Sequence, residues 1–453
     1  MRSGQTRGIK TTAVADDSEL ACFRRSTVAD HFYGGTFIHR ASLILLSILA
    51  AVMLLTALFF GISTLPAAAA APPAGADNCH PDVIQPNGSI YRFCLPPGWD
   101  GGGLVVYAHG YVWFNEPLAI PVSHFCFGEP GDRTCVDEVV NDLGLAFATT
   151  SYPINGLAVL PAVDDVVDLV GVFSETYGGP SVVLIGGTSE GGLVTTLAVE
   201  RHPEVFDGGL AACGPIGDWE GQINALGDFR VLFDYFFPEL LPTEVVTIPN
   251  WLIDAWTNDD YFGSIVEPVV FDPANTFSLT QLLATSHLPH LPGVTETVRL
   301  AVHDALAYNV LATNDAQAKL GGNPFENVDR VYSGSTDDAA LNTSVARFRA
   351  DPAALVEMEN YETSGWLTRP LVTLHTSFDQ QVPQWQEGLY RQKLLANHTW
   401  MWHVDQPMPV DNYGHCNFDA DQEVLPAFFA LLAMIANPPE RSLLYLPVAM
   451  REL

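Results

Sequence analysis

At residues 181–199 a β-branched, apolar run (181–185) passes directly into a helical pattern. One serine, Ser189, stands at the junction, with Gly186 and Gly187 before it and Gly191 and Gly192 after it. A strand that turns abruptly into a helix crowds its own backbone, so small residues are required on both sides of the corner. The stretch Gly187-Thr188-Ser189-Glu190-Gly191 reads G-x-S-x-G, and the strand, turn and helix around it give the pattern its meaning. Ser189 is expected to project its hydroxyl above a sheet, with the backbone N–H groups of a helix start beside it to stabilise negative charge.

The corner belongs to a longer alternation. From 89 to 200, short β-branched or aromatic runs (90–95, 104–108, 145–150, 181–185) alternate with helical patterns (136–142, 162–177 and the run after Gly191), and 208–212 returns as a strand. This predicts an α/β chain with a mainly parallel, doubly wound sheet and crossover helices. From about 214 to 366 the alternation stops, and prolines and aromatics such as Trp219, Phe229, Phe233, Trp251 and Trp256 accumulate. We read this stretch as a large cap or lid inserted in the sheet. Strand character resumes at 371–375 and 400–404, and a last helix is expected over 423–435. The expected organisation is an N-terminal segment over 1–72, an α/β domain built from 73–213 and 367–453, and a cap over 214–366.

A serine hydroxyl is a poor nucleophile at neutral pH, so a base must take its proton and an acid must orient that base. Asp379 follows the strand at 371–375 in a polar loop, and His415 lies in Gly414-His415-Cys416 after the strand at 400–404. Both are therefore expected at the same sheet edge as Ser189. The backbone N–H of Glu190 and that of Tyr111, in the loop His109-Gly110-Tyr111 after 104–108, are the candidate oxyanion donors. His109 is expected to shape that loop rather than carry protons. His287 and His290 have no cysteine or carboxylate at ligand spacing, so no metal is expected, and no phosphate, dinucleotide or calcium motif implies a cofactor.

With 453 residues, 48% of them hydrophobic, the chain can bury a sizeable core. Its 52 acidic against 20 basic residues give a net charge of −32, which argues against nucleic acid as a partner. A polar start containing Arg24 and Arg25 leads to an apolar run at 43–60 and to the small-residue tract Pro66 to Ala71. This predicts export, by a cleaved signal or a retained N-terminal anchor, with contact to the membrane only through that segment. Cys22 precedes the run. Beyond it lie Cys79, Cys94, Cys126, Cys135, Cys213 and Cys416, an even set that suggests three disulfides in an oxidising compartment. Proximity along the chain favours Cys79 with Cys94 and Cys126 with Cys135, leaving Cys213 and Cys416 to pair across the fold or to stay as buried thiols.

At these motifs the chain resembles the α/β-hydrolase superfamily, and more narrowly a group of exported bacterial hydrolases. The likeness lies in Tyr107-Ala108-His109-Gly110-Tyr111, Thr150-Ser151-Tyr152, Gly187-Thr188-Ser189-Glu190-Gly191-Gly192, Leu374-His375-Thr376 with Asp379, and Gly414-His415-Cys416. It implies an α/β-hydrolase fold and serine hydrolysis, with a small-molecule or polymeric ester as the favoured substrate. Amide or peptide cleavage by the same triad is the nearest alternative, and a non-catalytic, surface-bound binding protein of the same fold is the rival from another class.

Overall fold

The structure, a computed structural model, describes residues 78–127, 134–410 and 412–439. The apolar run at 43–60, the tract Pro66 to Ala71, Arg24, Arg25, Cys22 and the tail beyond 439 lie outside these residues, as do the export and anchor readings that rest on them. Among the described residues, no helix is long and apolar enough to cross a membrane.

Ten strands occur among the described residues. They are β1 (Val83–Ile84), β2 (Ile90–Cys94), β3 (Gly103–Ala108), β4 (Cys126–Phe127), β5 (Thr134–Cys135), β6 (Ala146–Thr150), β7 (Val182–Thr188), β8 (Gly208–Ala212), β9 (Leu371–Leu374) and β10 (His403–Asp405). Eight form one sheet in the order β1-β2-β6-β3-β7-β8-β9-β10, and β4 pairs only with β5. The pairs from β6 through β10 are parallel, and β1-β2 and β2-β6 are antiparallel.

Successive side chains of a strand point to opposite faces, and the central strands use both. Leu104, Val106, Ala148 and Ile185 pack with Val163, Val166, Leu193 and Leu197 of the helices Val159–Tyr177 and Glu190–Arg201. Their neighbours Val105, Phe147 and Leu184 pack on the other face, with Val140 of Val136–Asp142 and with Phe428 and Leu431 of Leu425–Ala436. The sheet is therefore covered on both sides, as the near-continuous apolar runs require. Each fully buried leucine or isoleucine here is worth about 1.5–3 kcal/mol relative to exposure.

Between β8 and β9 the described chain is helical. The helices Trp219–Phe236, Asn250–Asn258, Thr276–Ser286 and Thr295–Leu320 bury Phe229, Phe233, Trp256, Leu306 and Val310 in a second apolar core of their own. Trp219 departs from this pattern. It packs into the sheet core and stacks on Tyr361 at 5.5 Å. Arg230 is fully buried in the helical region, where Asp234, Asn309 and the carbonyls of Leu241 and Thr243 take its N–H groups. The 26-residue helix Thr295–Leu320 stops at Gly321, whose φ of 77° suits a residue without a Cβ.

The elements expected at 400–404 and 423–435 start later than the sequence pattern suggests. The strand predicted at 400–404 forms only over His403–Asp405. Residues Trp400–Trp402 make a 3-10 turn, closed by the Trp402 N–H on the Thr399 carbonyl at 2.9 Å, which buries Trp402 and leaves Trp400 exposed. A wide turn over Ala420–Val424 precedes the last helix, where Pro426 has no N–H to offer the preceding carbonyls. The three cystines Cys79–Cys94, Cys126–Cys135 and Cys213–Cys416 are all formed.

Candidate active site

Ser189 occupies the corner between β7 and the helix Glu190–Arg201, with φ 59° and ψ −124°. A positive φ strains a residue that carries a Cβ, so neighbours must hold it. The Ser189 N–H donates to the Ala212 carbonyl at 2.9 Å, and its own carbonyl accepts from the Gly192 N–H at 2.9 Å. The surrounding glycines are a steric requirement. A Cβ on Gly191 would run into the carbonyls of Ala108 and His109, and one on Gly187 into those of Gly191 and Ala108. At Gly110 a Cβ would stand 3.2 Å from that of Ser189, so the loop after β3 passes directly beside the serine.

Ser189, Asp379 and His415 meet. Nε2 of His415 lies 2.8 Å from Ser189 Oγ, and its Nδ1 lies 3.0 and 2.8 Å from Oδ1 and Oδ2 of Asp379. Asp379 is fully buried, and its Oδ1 also accepts the N–H groups of Gln381 and Val382, each at 2.9 Å. Because a carboxylate only accepts, Nδ1 of His415 is assigned the proton, and Nε2 is left free to accept from the serine hydroxyl. Ser189, Asp379, His415 and the His109-Gly110-Tyr111 loop all follow the carboxyl ends of parallel strands (β7, β9, β10 and β3). In open parallel sheets this is the edge where ligands bind.

No family model and no curated protein sequence matches the chain. Among solved structures it is similar to an esterase from Aspergillus oryzae (14% identity, TM-score 0.41, 78% of this chain and 79% of that one). It is also similar to Est1E from Butyrivibrio proteoclasticus (13%, 0.34, 77% and 94%). A third likeness is to a dipeptidyl aminopeptidase IV from Bacteroides ovatus (12%, 0.38), where 78% of this chain spans only 34% of the peptidase. Likeness at these levels carries no weight for activity. What decides the fold is the chain's own geometry: a serine at positive φ on a strand-to-helix corner, followed along the chain by an aspartate and then a histidine on later loops of the same edge. The chain has the α/β-hydrolase fold.

Around the corner at Ser189, two side chains are shaped by burial. The Glu190 carboxyl is 5% exposed; Oε1 accepts the Ala158 N–H at 2.9 Å, and Oε2 has no hydrogen-bond partner. Burial pushes its pKa up to about 8, against the pull of Ala158 and Lys319. His109 donates from Nδ1 to the Gly110 carbonyl at 2.7 Å and stacks on Tyr152 at 3.8 Å. Burial lowers its pKa to about 4, so the ring is neutral at ordinary pH. His287 caps the helix Thr276–Ser286 at φ 53°, and His290 bonds the Leu288 carbonyl at 2.7 Å.

Sequence reasoning missed the supports of the site. Asp304, on the helix Thr295–Leu320, accepts the side-chain amides of Gln380 and Gln381 at 2.9 and 2.8 Å, which ties down the loop that carries Asp379. The Tyr413 hydroxyl donates to the Thr297 carbonyl at 2.7 Å, and Asp315 accepts the Leu157 N–H at 2.8 Å. One inserted helix thus holds three loops. Tyr308 of the same helix stands edge-on to Tyr111 at 5.8 Å and close to Trp113 at 5.3 Å, forming an aromatic wall beside the proposed oxyanion loop.

Proposed function

We propose that the protein is an exported serine hydrolase that cleaves carboxylic esters through an acyl-enzyme on Ser189. The observation that carries this reading is the continuous hydrogen-bonded line from Asp379 through both ring nitrogens of His415 to Ser189 Oγ. The Ser189 oxygen attacks the ester carbonyl carbon while its proton passes to Nε2 of His415, and Asp379 stabilises the imidazolium that forms. The backbone N–H groups of Glu190 and Tyr111 hold the developing oxyanion. His415 then protonates the departing alkoxide, and water, activated by the same imidazole, releases the acid and restores the serine. The residues over 214–366 act as the cap over this edge. Three disulfides support a life outside the cytoplasm, with the N-terminal apolar run as the export signal.

The test is labelling with a fluorophosphonate probe. The wild-type protein is expected to label and Ser189→Ala is not; a folded wild-type protein that stays unlabelled would favour a binding protein of this fold. Matched esters and anilides of one acyl group then separate ester from amide cleavage, because only the amide demands protonation of an amine leaving group.

A further inference from the structure

Asp379 has an imidazole on each side. His415 faces it from the site, and His375, just past the end of β9, faces it from the interior with Nε2 3.8 Å from Oδ2. His375 is 1% exposed, and its Nε2 lies 2.7 Å from the Val382 carbonyl. A carbonyl only accepts, so Nε2 carries a proton. Nδ1 lies 3.5 Å from Oε1 of Glu387, and neither of these two buried atoms has a hydrogen-bond partner. A neutral ring would therefore turn the Nδ1 lone pair toward a carboxylate oxygen in a buried setting; a second proton on the ring makes the contact attractive.

The surrounding groups fix Glu387 as the acceptor. Its other oxygen takes the Thr373 hydroxyl at 2.8 Å, and that hydroxyl in turn accepts from Nε2 of His403 at 2.9 Å. Burial opposes a charge on His375, but Glu387, Asp379 and the Val382 carbonyl outweigh it and hold the pKa above the ordinary value. Nearby, burial lowers the pKa of His403, while burial and Glu387 push Asp405 up to about 6, with His375 and Arg391 opposing.

We propose that His375 is a positioning residue of the site: an imidazolium paired with Glu387 that sits behind Asp379 and, acting through it, lowers the proton affinity of His415. The inference rests on the serine-hydrolase reading above. A general base must be unprotonated to take the serine proton, and an aspartate alone raises the proton affinity of the imidazole it orients. A cation on the far side of that aspartate offsets part of the rise and extends the pH range over which His415 is a free base.

The test is the pH dependence of the rate at which a fluorophosphonate labels the full chain, which reads the free protein and needs no substrate. His375→Gln keeps an amide donor for the Val382 carbonyl but removes the charge, and Glu387→Gln removes the anion that holds it. Both variants are expected to move the acid limb of the profile to higher pH, by roughly half a unit to one unit. An acid limb that stays in place in folded variants, with only a lower plateau, overturns the proposal and leaves His375 a packing group. Failure of the wild-type protein to label at any pH overturns the hydrolase reading instead, and this inference with it. If neither variant folds, the ring ¹⁵N shifts of histidine-labelled wild-type protein decide. Two protonated nitrogens on His375 at neutral pH are expected, and a singly protonated ring overturns the proposal.

Discussion

Cys416 Sγ lies 3.5 Å from Nε2 of His415, the nitrogen that faces Ser189. Through its bond to Cys213, just past the end of β8, the histidine loop is fastened to the strand beside β7, which delivers the serine. The bond closes a separation of 203 residues. Long closures constrain the unfolded chain most in the loop-entropy picture, and loss of such a bond costs about 2–5 kcal/mol. The variant with Ser at both Cys213 and Cys416 should therefore melt earlier. Its fluorophosphonate labelling should also slow by about 10²-fold, the cost of a base displaced by an ångström. Equal labelling rates at a temperature where both proteins are folded would show that the bond serves stability alone.

Asp379→Asn separates geometry from charge. Its amide oxygen still accepts the N–H groups of Gln381 and Val382, so the loop is retained and thermal stability changes little. The imidazole loses the acceptor that fixes its tautomer, and the rate of ester turnover and of labelling should fall by about 10⁴-fold. A fall of less than tenfold would remove Asp379 from the triad.

Glu190 should leave a signature in stability against pH. Its folded pKa, about 8, lies above the ordinary value of 4.5, so the folded protein keeps a proton that the unfolded chain releases. Stability from this group is present in full below pH 4.5 and declines as pH rises toward about 8. Glu190→Gln, neutral at every pH, should match the wild type at pH 4 and exceed it at pH 9 by a few kcal/mol, on the order of what such a shift represents. Urea denaturation at the two pH values checks this; the same difference at both would contradict it.

Asp304→Ala leaves two amides, those of Gln380 and Gln381, without their shared acceptor. Orphaned polar groups of this kind cost about 1–3 kcal/mol each when buried. Asp304→Asn keeps one carbonyl oxygen to receive them and should recover part of the loss. Thermal melts of the three proteins, together with their labelling rates, test this: the rates should follow the order wild type, Asn, Ala.

The parts of the molecule that were legible in the sequence are those set by local chemistry. The corner at Ser189 announced itself because backbone crowding leaves room only for glycine at Gly187 and Gly191. Asp379 and His415 could be placed because polar loops after apolar runs must emerge at a sheet edge. Proximity along the chain favours the two short-range cystines, whereas Cys213 and Cys416 stand open between a cross-fold bond and buried thiols until the fold brings them together. The supports were illegible because their partners are distant in the chain. Asp304 meets Gln380 76 residues later, and nothing in the mixed polar pattern of Thr295–Leu320 marks that contact. His375 lies within Leu374-His375-Thr376, yet the role proposed for it depends on Glu387, which arrives on the next helix. The strand at His403–Asp405 starts later than its apolar run suggests because Trp402 is buried by a turn, a route that a row of large apolar residues does not distinguish from a strand.

The helix Thr295–Leu320 is part of the frame of the reactive edge, since Asp304, Thr297 and Asp315 on it bond three of the loops there. Displacing it would pull on Gln380, Gln381 and Tyr413, and would disturb the loops of Asp379 and His415 together. A single brace outside the sheet thus keeps both loops in register, so a disturbance anywhere along that helix is felt at two members of the hydrogen-bonded line at once.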